Sequence, residues 1–409
     1  MNEQIVITGI GIYSPIGKNA NEVYNSLLNS RSGINYINEM DVSNLRNNKG
    51  GIIKNIVPIK TRNGLRSNIL LKYAVKEAVE DSHIMNHELS KKRIAISVGT
   101  SIGGYGGFVD QLYSNYYGTS QKSTLNSNSI LTNDSVIKNI PPVLLGYAIA
   151  KEYNLSGPVS ASITACSASA NAISMARDLI LSDHADAVIV AGVDPITQLT
   201  YIGFNALMAL TKGELKTMDE KRSGLLIGEG AGCLILEKES AAIKRNAKIY
   251  ATLSGCGISN DAFHCTQPHP NAEGAVLAIR RAIEDAQLTP ADIDYINLHG
   301  TGTRHNDIME LKALKTVFGD KGNIPVSSSK SMMGHTLGAA AAIEAVICLI
   351  SLSRKILPPN LNVDEKIKGF NYDLIQKTRL NVEVKHILSN SFGFGGNCAA
   401  LIFSKYIHY

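Results

Sequence analysis

The stretch I-T-A-C-S-A-S-A-N-A-I at residues 163–173 is where the chain passes from one local structure to another. Just before it, P-V-S-A-S-I-T (158–164) is small and β-branched, the composition of a buried strand. From 167 to 182 the residues are rich in Ala, Leu, Ile and Met and include neither Gly nor Pro, which favours a helix. Cys166 falls at the join. A thiol there faces the unpaired N–H groups and positive end of the helix, an arrangement expected to favour the thiolate and lower its pKa. Ala165, Ser167, Ala168 and Ser169 are small enough to let a second molecule reach the sulfur. The same residue also fits an inert core cysteine, the usual state of a free thiol.

Working outward, I-V-I-T-G-I-G-I (5–12) reads as a strand running into a glycine turn. It is no nucleotide loop. A dinucleotide fingerprint needs glycine where Ser14 stands, and a P-loop needs a different glycine spacing and Ser or Thr in place of Asn19. Residues 67–82 form an amphipathic helix whose approach carries Lys60, Arg62, Arg66 and Lys72, a solvated face or a docking patch for an acidic partner. The strand R-I-A-I-S-V-G (93–99) leads into G-T-S-I-G (99–103), the G-x-S-x-G pattern of a serine-hydrolase elbow centred on Ser101. That elbow needs a helix directly after it, whereas Gly103, Gly104, Gly106 and Gly107 follow here.

The chain also matches itself. P-V-S recurs at 158–160 and 325–327, and L-I-L-E-K at 234–238 returns as L-I-F-S-K at 401–405, both offset by 167. T-G-I-G-I (8–12) has a looser echo in S-G-C-G-I (254–258), offset by 246. The larger offset places extra chain in the first half, where the polar stretch 114–139 lies. Two strand–helix halves, 1–245 and 246–409, packing as one body are the expectation.

The second half supplies imidazoles. One strand (293–298) ends in H-G-T-G-T (299–303), with Asn306, Asp307 and Glu310 just beyond. Another (324–329) is followed by K-S-M-M-G-H (330–335) and a helix from 337 to 352. S-F-G-F-G-G-N (391–397) is a glycine-rich turn suited to presenting N–H groups to an anion. Cys166, His299 and His335 thus all stand at strand ends, where α/β sheets gather reacting groups. They fit zinc ligands, separate core residues, or a nucleophile with two imidazoles. Lys330 and Glu344 flank the same strand–helix unit, and buried charges need partners, which favours the last reading.

Composition narrows the class. Of 409 residues, 44% are apolar and only 18% charged, the balance of a compact globular protein. No Trp and a net charge of +5 give no aromatic platform for nucleic acid. Six cysteines without a C-x-x-C pair suggest free thiols in a reducing compartment. The start lacks a signal-peptide pattern, and the apolar run 339–352 is interrupted by Glu344 and short for a bilayer.

Taken jointly, T-A-C-S-A-S around Cys166, H-G-T-G-T, K-S-M-M-G-H with G-A-A following, and N-S-F-G-F-G-G (390–396) resemble the β-ketoacyl-acyl carrier protein synthases, in that family's order and spacing from first strand to last. The type II elongating branch is the nearest likeness. The resemblance implies a thiolase-like duplicated α-β-α-β-α five-layered fold. The N-terminal half would carry the nucleophile and an insertion, and the C-terminal half the two histidines. It implies an acyltransferase that condenses malonyl-carrier with an acyl chain held on Cys166. His299 and His335 would hold the malonyl thioester, and Lys330 and Glu344 would order them. The N–H groups of Cys166 and Phe394 would form the oxyanion hole, with Phe394 also a gate. Thr301 and Thr303 would bind the pantetheine arm. No metal or cofactor is implied beyond phosphopantetheine on the carrier. The implied partners are an acidic acyl carrier protein, docking through Lys60, Arg62, Arg66 and Lys72, and a second subunit: an identical copy or a chain-length-factor-like chain. Nucleic acid and membrane are not implied, and the location would be cytoplasmic. Asn397-Cys398 after the last glycines, a short loop at 211–219 and polar residues at 114–135 depart from the family pattern and leave fatty-acid and specialised polyketide or polyene pathways both open.

Overall fold

The computed structural model describes residues 3–56, 65–86, 91–106, 109, 141–320 and 323–407. In the first half, β1 (Ile5–Tyr13), β2 (Ile94–Gly99), β3 (Val159–Ser162), β4 (Ala187–Asp194) and β5 (Gly230–Lys238) lie in the order β3-β2-β4-β5-β1. β2 runs parallel to β3 and β4, and β5 antiparallel to β4 and β1. In the second half, β6 (Ala251–Asn260), β7 (Tyr295–Asn297), β8 (Pro325–Ser327), β9 (His386–Phe392) and β10 (Asn397–Ser404) repeat that order and those directions as β8-β7-β9-β10-β6. β1 meets β6 through Val6–Thr252 and Ile7–Ala251, and with Asp373–Leu374 on the far edge the whole forms one sheet of eleven strands.

Helices make the other layers. α1 (Leu65–Ser82) packs on β1 and β5, and α2 (Val143–Tyr153) on β2 and β3. α3 (Ala168–Leu181) lies on β4 and β2 and also reaches β10. α4 (Glu273–Asp285) covers β6 and β10, with α5 (Arg304–Phe318) beside it. α6 (Ala340–Arg354) packs against α3 and touches β5 and β9, so α3 and α6 form the middle layer between the halves. This is the thiolase-type α-β-α-β-α stack. α6 is apolar around most of its circumference because strands of both halves cover it, and Glu344 is the charged residue buried within it. The segment Leu337–Arg354 has the length and hydropathy of a membrane span, yet 89% of it is buried inside this fold.

The segments that match in sequence hold equivalent strands, and the glycines show why. The reading of Gly9 and Gly11 as turn residues is corrected here: both lie within β1. A Cβ on Gly11 would stand 1.9 Å from the carbonyl oxygen of Ala74 on α1, and one on Gly257 in β6 would stand 1.9 Å from that of Ala278 on α4. In each half the first strand lets a helix backbone approach closer than any side chain allows.

Candidate active site

Cys166 lies in the short 3-10 turn Ala165–Ser167, between the end of β3 and the start of α3, with 7% of its surface exposed. Ala165 before it has φ +50°, a left-handed conformation that turns the chain sharply at the nucleophile. The backbone N–H groups of Phe394 and of Cys166 itself face the sulfur. Burial nevertheless pushes the thiol up to about 12, against the pull of the Lys330 charge and those N–H groups. The expectation of a lowered pKa fails because full desolvation outweighs one helix end.

Two turns bring the imidazoles to the same place. His299 follows β7, and its N–H and that of Gly300 each donate to the buried Glu310 carboxylate on α5 at 2.8 Å. Asp307, one turn earlier on α5, accepts from Gly302 N–H (3.2 Å) and Met218 N–H (2.9 Å). The H-G-T-G-T turn is thus held by two carboxylates that stand just beyond it in sequence. His335 follows the helical turn Lys330–Met333, and its backbone pairs with Leu226 and Gly228. The N–H of Leu337 donates to His335 Nδ1 at 3.2 Å, so the imidazole proton sits on Nε2. The two rings meet edge to face, centroids 5.2 Å apart. Burial first, then the Lys330 charge, hold both histidines well below the usual imidazole value, and His335 adds to the effect on His299. Both are neutral near pH 7.

Lys330 and Glu344 form a fully buried ion pair, each 1% exposed. Burial raises the Glu344 carboxyl while Lys330 and Asn297 draw it down. Lys330 pairs with Glu344 and hydrogen-bonds neither histidine among the described contacts, so its reach to Cys166, His299 and His335 is electrostatic.

Cys166, His299, His335, Thr301, Thr303 and Phe394 line one cavity of about 470 Å³. The hydroxyls of Thr301 and Thr303 stand 2.9 Å apart on one wall. Phe394 stacks on Phe204, centroids 5.6 Å apart, and its turn uses Gly395 and Gly396 at φ +76° and +77°. Asn397, one of the departures noted above, donates from Nδ2 to the Phe394 carbonyl at 2.9 Å and braces that turn.

Other expectations are corrected. Arg66 is 5% exposed and pairs with the buried Glu229, so it presents no charge to a partner. Lys72 is exposed but paired with Glu152 on α2 at 2.8 Å. Lys60 and Arg62 lie outside the described residues, as does the polar stretch 114–135. Ser101 is no elbow nucleophile. Its hydroxyl donates to the buried Asp194 carboxylate at 2.6 Å, and the chain bends through residue 104 instead of entering a helix at once.

With this geometry in place, the likeness to known proteins is specific. The model of the β-ketoacyl synthase N-terminal domain matches residues 2–242, and that of its C-terminal domain matches 250–364. A 3-oxoacyl-[acyl-carrier-protein] synthase 2 from Coxiella burnetii is 32% identical over 424 residues, 98% of each chain. Among solved structures, the ishigamide ketosynthase/chain length factor superposes with a TM-score of 0.91 at 28% identity over 100% of both chains. A type II polyketide ketosynthase, bound to its hexaketide and in complex with its acyl-carrier protein, superposes equally well (TM-score 0.91) at 26% identity, again over 100% of both chains.

Proposed function

This chain belongs to the β-ketoacyl synthase family, and we propose that it elongates carrier-bound acyl chains by decarboxylative Claisen condensation through Cys166, His299 and His335. The supporting observation is one cavity that joins the Cys166 sulfur, two backbone N–H groups and two neutral imidazoles.

In the first step the Cys166 sulfur attacks the acyl thioester. Its proton goes to the departing pantetheine thiol, and the Cys166 and Phe394 N–H groups stabilise the tetrahedral oxygen, each donor worth about 3–4 kcal/mol in comparable sites. In the second, the malonyl carboxylate leaves as carbon dioxide and its electron pair moves onto the thioester, giving an enolate. His335 Nε2–H and the neutral His299 donate to the enolate oxygen, where charge appears only as the bond breaks. In the third, the enolate carbon attacks the Cys166 thioester. The same two N–H groups take up the charge again; the C–S bond to Cys166 breaks, Cys166 departs as a thiolate that takes a proton from solvent, and the 3-oxoacyl chain, two carbons longer, stays on the carrier. Lys330 holds the pocket positive through each thiolate or oxyanion stage, with Glu344 as its counter-ion. Residues 1–245 contribute the nucleophile, and 246–409 the imidazoles.

Thr301 and Thr303 would bind the pantetheine arm along the cavity wall. The substrates arrive on the phosphopantetheine of an acyl carrier protein, and the reaction needs no metal or further cofactor. The carrier would meet the cavity where Arg46 and the exposed Arg304 and His305 line it, while Lys60 and Arg62 of the expected docking patch lie outside the described residues. A second subunit, identical or chain-length-factor-like, would cover the edge at β3, the sheet's last strand among the described residues, beside which Ile163 is 56% exposed and Met175 43%. Retention of Cys166 makes this the catalytic chain of either pair. We place the reaction in the cytoplasm, in fatty-acid or specialised polyketide or polyene elongation.

Intact-mass analysis after incubation with a panel of acyl carrier proteins tests the reading. One acyl group should load, at Cys166, and Cys166→Ala should load none while keeping its fold. Loading that survives in Cys166→Ala overturns it.

A further inference from the structure

The G-T-S-I-G motif has no part in the chemistry above, and its contacts give it another use. Asp194, at the end of β4, is fully buried and accepts from four groups of that motif. Thr100 Oγ1 donates to Oδ1 at 2.6 Å and Ile102 N–H at 3.3 Å. Ser101 gives Oδ2 both its N–H (2.8 Å) and its hydroxyl (2.6 Å). The same Oδ2 accepts the N–H of Gly338 at 2.6 Å, 144 residues along the chain. All of these contacts are donors, so the form they match is the carboxylate.

Gly338 belongs to the turn that follows His335. Its neighbour Leu337 sits at φ +53°, a conformation a branched side chain resists, and from there directs its N–H to His335 Nδ1 at 3.2 Å. Residue 338 must be glycine, because a Cβ would stand 2.3 Å from Ser101 N and 2.7 Å from Asp194 Oδ2. The turn of the first half and the turn after His335 are thus pressed together backbone to backbone, with one buried carboxylate between them.

We propose that Asp194 is a positioning residue for His335: it clamps the 100–102 turn to Gly338, which holds Leu337 strained with its N–H on Nδ1 and keeps the imidazole an Nε2–H donor. Released from Oδ2, the Leu337–Gly338 peptide would relax from its left-handed geometry. Nδ1 would then lose its donor, and the ring would populate the other tautomer, which offers the cavity an acceptor in place of a donor. The proposal rests on the decarboxylation role given to His335 above, and its test separates the two.

The perturbation is Asp194→Asn, nearly equal in volume, with Ser101→Ala as a milder companion that removes one donor from Oδ2. Two readouts apply to the full-length enzyme. Long-range 1H–15N spectra of histidine-labelled protein report the His335 tautomer, the signal assigned by its loss in His335→Gln. Malonyl-carrier decarboxylation and Cys166 acylation are then measured as separate half-reactions. In Asp194→Asn the Nε2–H signature should give way to a mixture. Decarboxylation should fall at least about ten- to a hundredfold, the range for losing an outer partner that orients a ligating imidazole, while acylation changes less than about threefold. Ser101→Ala should move both readouts the same way by about threefold, and it decides the matter if Asp194→Asn does not fold. An unchanged tautomer, or half-reactions that fall in parallel, overturns the clamp. A wild-type enzyme that shows the tautomer but decarboxylates nothing instead sinks the assigned function and leaves the clamp standing.

Discussion

Replacing Lys330 with methionine removes a charge that acts on Cys166, His299 and His335 alike, and its cost follows from burial. Lys330 and Glu344 are each 1% exposed, so the variant leaves a carboxylate in the interior with no cation beside it. Stranded charges of this kind destabilise by about 3–5 kcal/mol. Glu344 has an escape, which is to take up a proton. Relative to an ordinary value of 4.5, doing so at pH 7 costs about 3.4 kcal/mol, from roughly 1.36 kcal/mol per pH unit. The loss should therefore sit near 3 kcal/mol at pH 7 and shrink below about 1 kcal/mol at pH 5, because the proton becomes easier to acquire as pH falls. Urea unfolding of wild type, Lys330→Met and Lys330→Met/Glu344→Leu at both pH values measures this. The double variant should recover most of the loss at pH 7, since an apolar pair of similar volume is tolerated where a lone charge is not. Iodoacetamide should also alkylate Cys166 more slowly in Lys330→Met, whose thiol has lost its largest stabilising charge. A Lys330→Met enzyme as stable as wild type at pH 7, or one whose deficit does not change with pH, would refute the reasoning.

Other outcomes follow from the same geometry. His299→Ala and His335→Ala should each slow malonyl decarboxylation by about a hundredfold or more while leaving Cys166 acylation within a few-fold, measured as separate half-reactions. Because burial pushes the Cys166 thiol up to about 12, alkylation of the free enzyme should climb about tenfold per pH unit from pH 6 to 9, and a plateau below pH 8 would reveal a low-pKa thiolate instead. Gly11→Ala and Gly257→Ala should each destabilise the fold by at least about 1–3 kcal/mol in thermal or denaturant unfolding, since each Cβ would meet a helix carbonyl at 1.9 Å, and tolerance of both would contradict the close strand–helix approach.

The parts of the site readable from sequence are those carried by local pattern. A strand that ends where glycines and a small-residue helix begin places its next side chain at the sheet's end, and that rule puts Cys166, His299 and His335 at strand ends from the sequence. The repeat worked for the same reason, because equivalent strands face equivalent helices and keep equivalent residues, down to Gly11 and Gly257. What eluded the sequence depends on partners far along the chain. Arg66 looked like surface charge because Glu229, which neutralises it, stands 163 residues away. Asp194 drew no notice among the apolar residues of its strand, and the motif that binds it resembled a hydrolase elbow because both need a tight turn after a strand. Glu310 and Asp307 were in view as neighbours of the H-G-T-G-T turn, but only the fold shows their carboxylates gripping its backbone. The Cys166 pKa went astray through magnitude: a helix end is legible in sequence, while the depth of burial that overrides it is not.

The claim on which everything else depends is that Cys166 receives an acyl chain and then gives it up to a decarboxylated malonyl unit. The most direct measurement combines enzyme already acylated on Cys166 with malonyl-carrier in a single turnover, following carbon dioxide and the masses of enzyme and carrier together. The account predicts one carbon dioxide per acyl group lost from Cys166, and a 3-oxoacyl chain two carbons longer appearing on the carrier. Acyl-Cys166 that hydrolyses to free acid with no carbon dioxide released, or a lengthened product formed by Cys166→Ala, would contradict it.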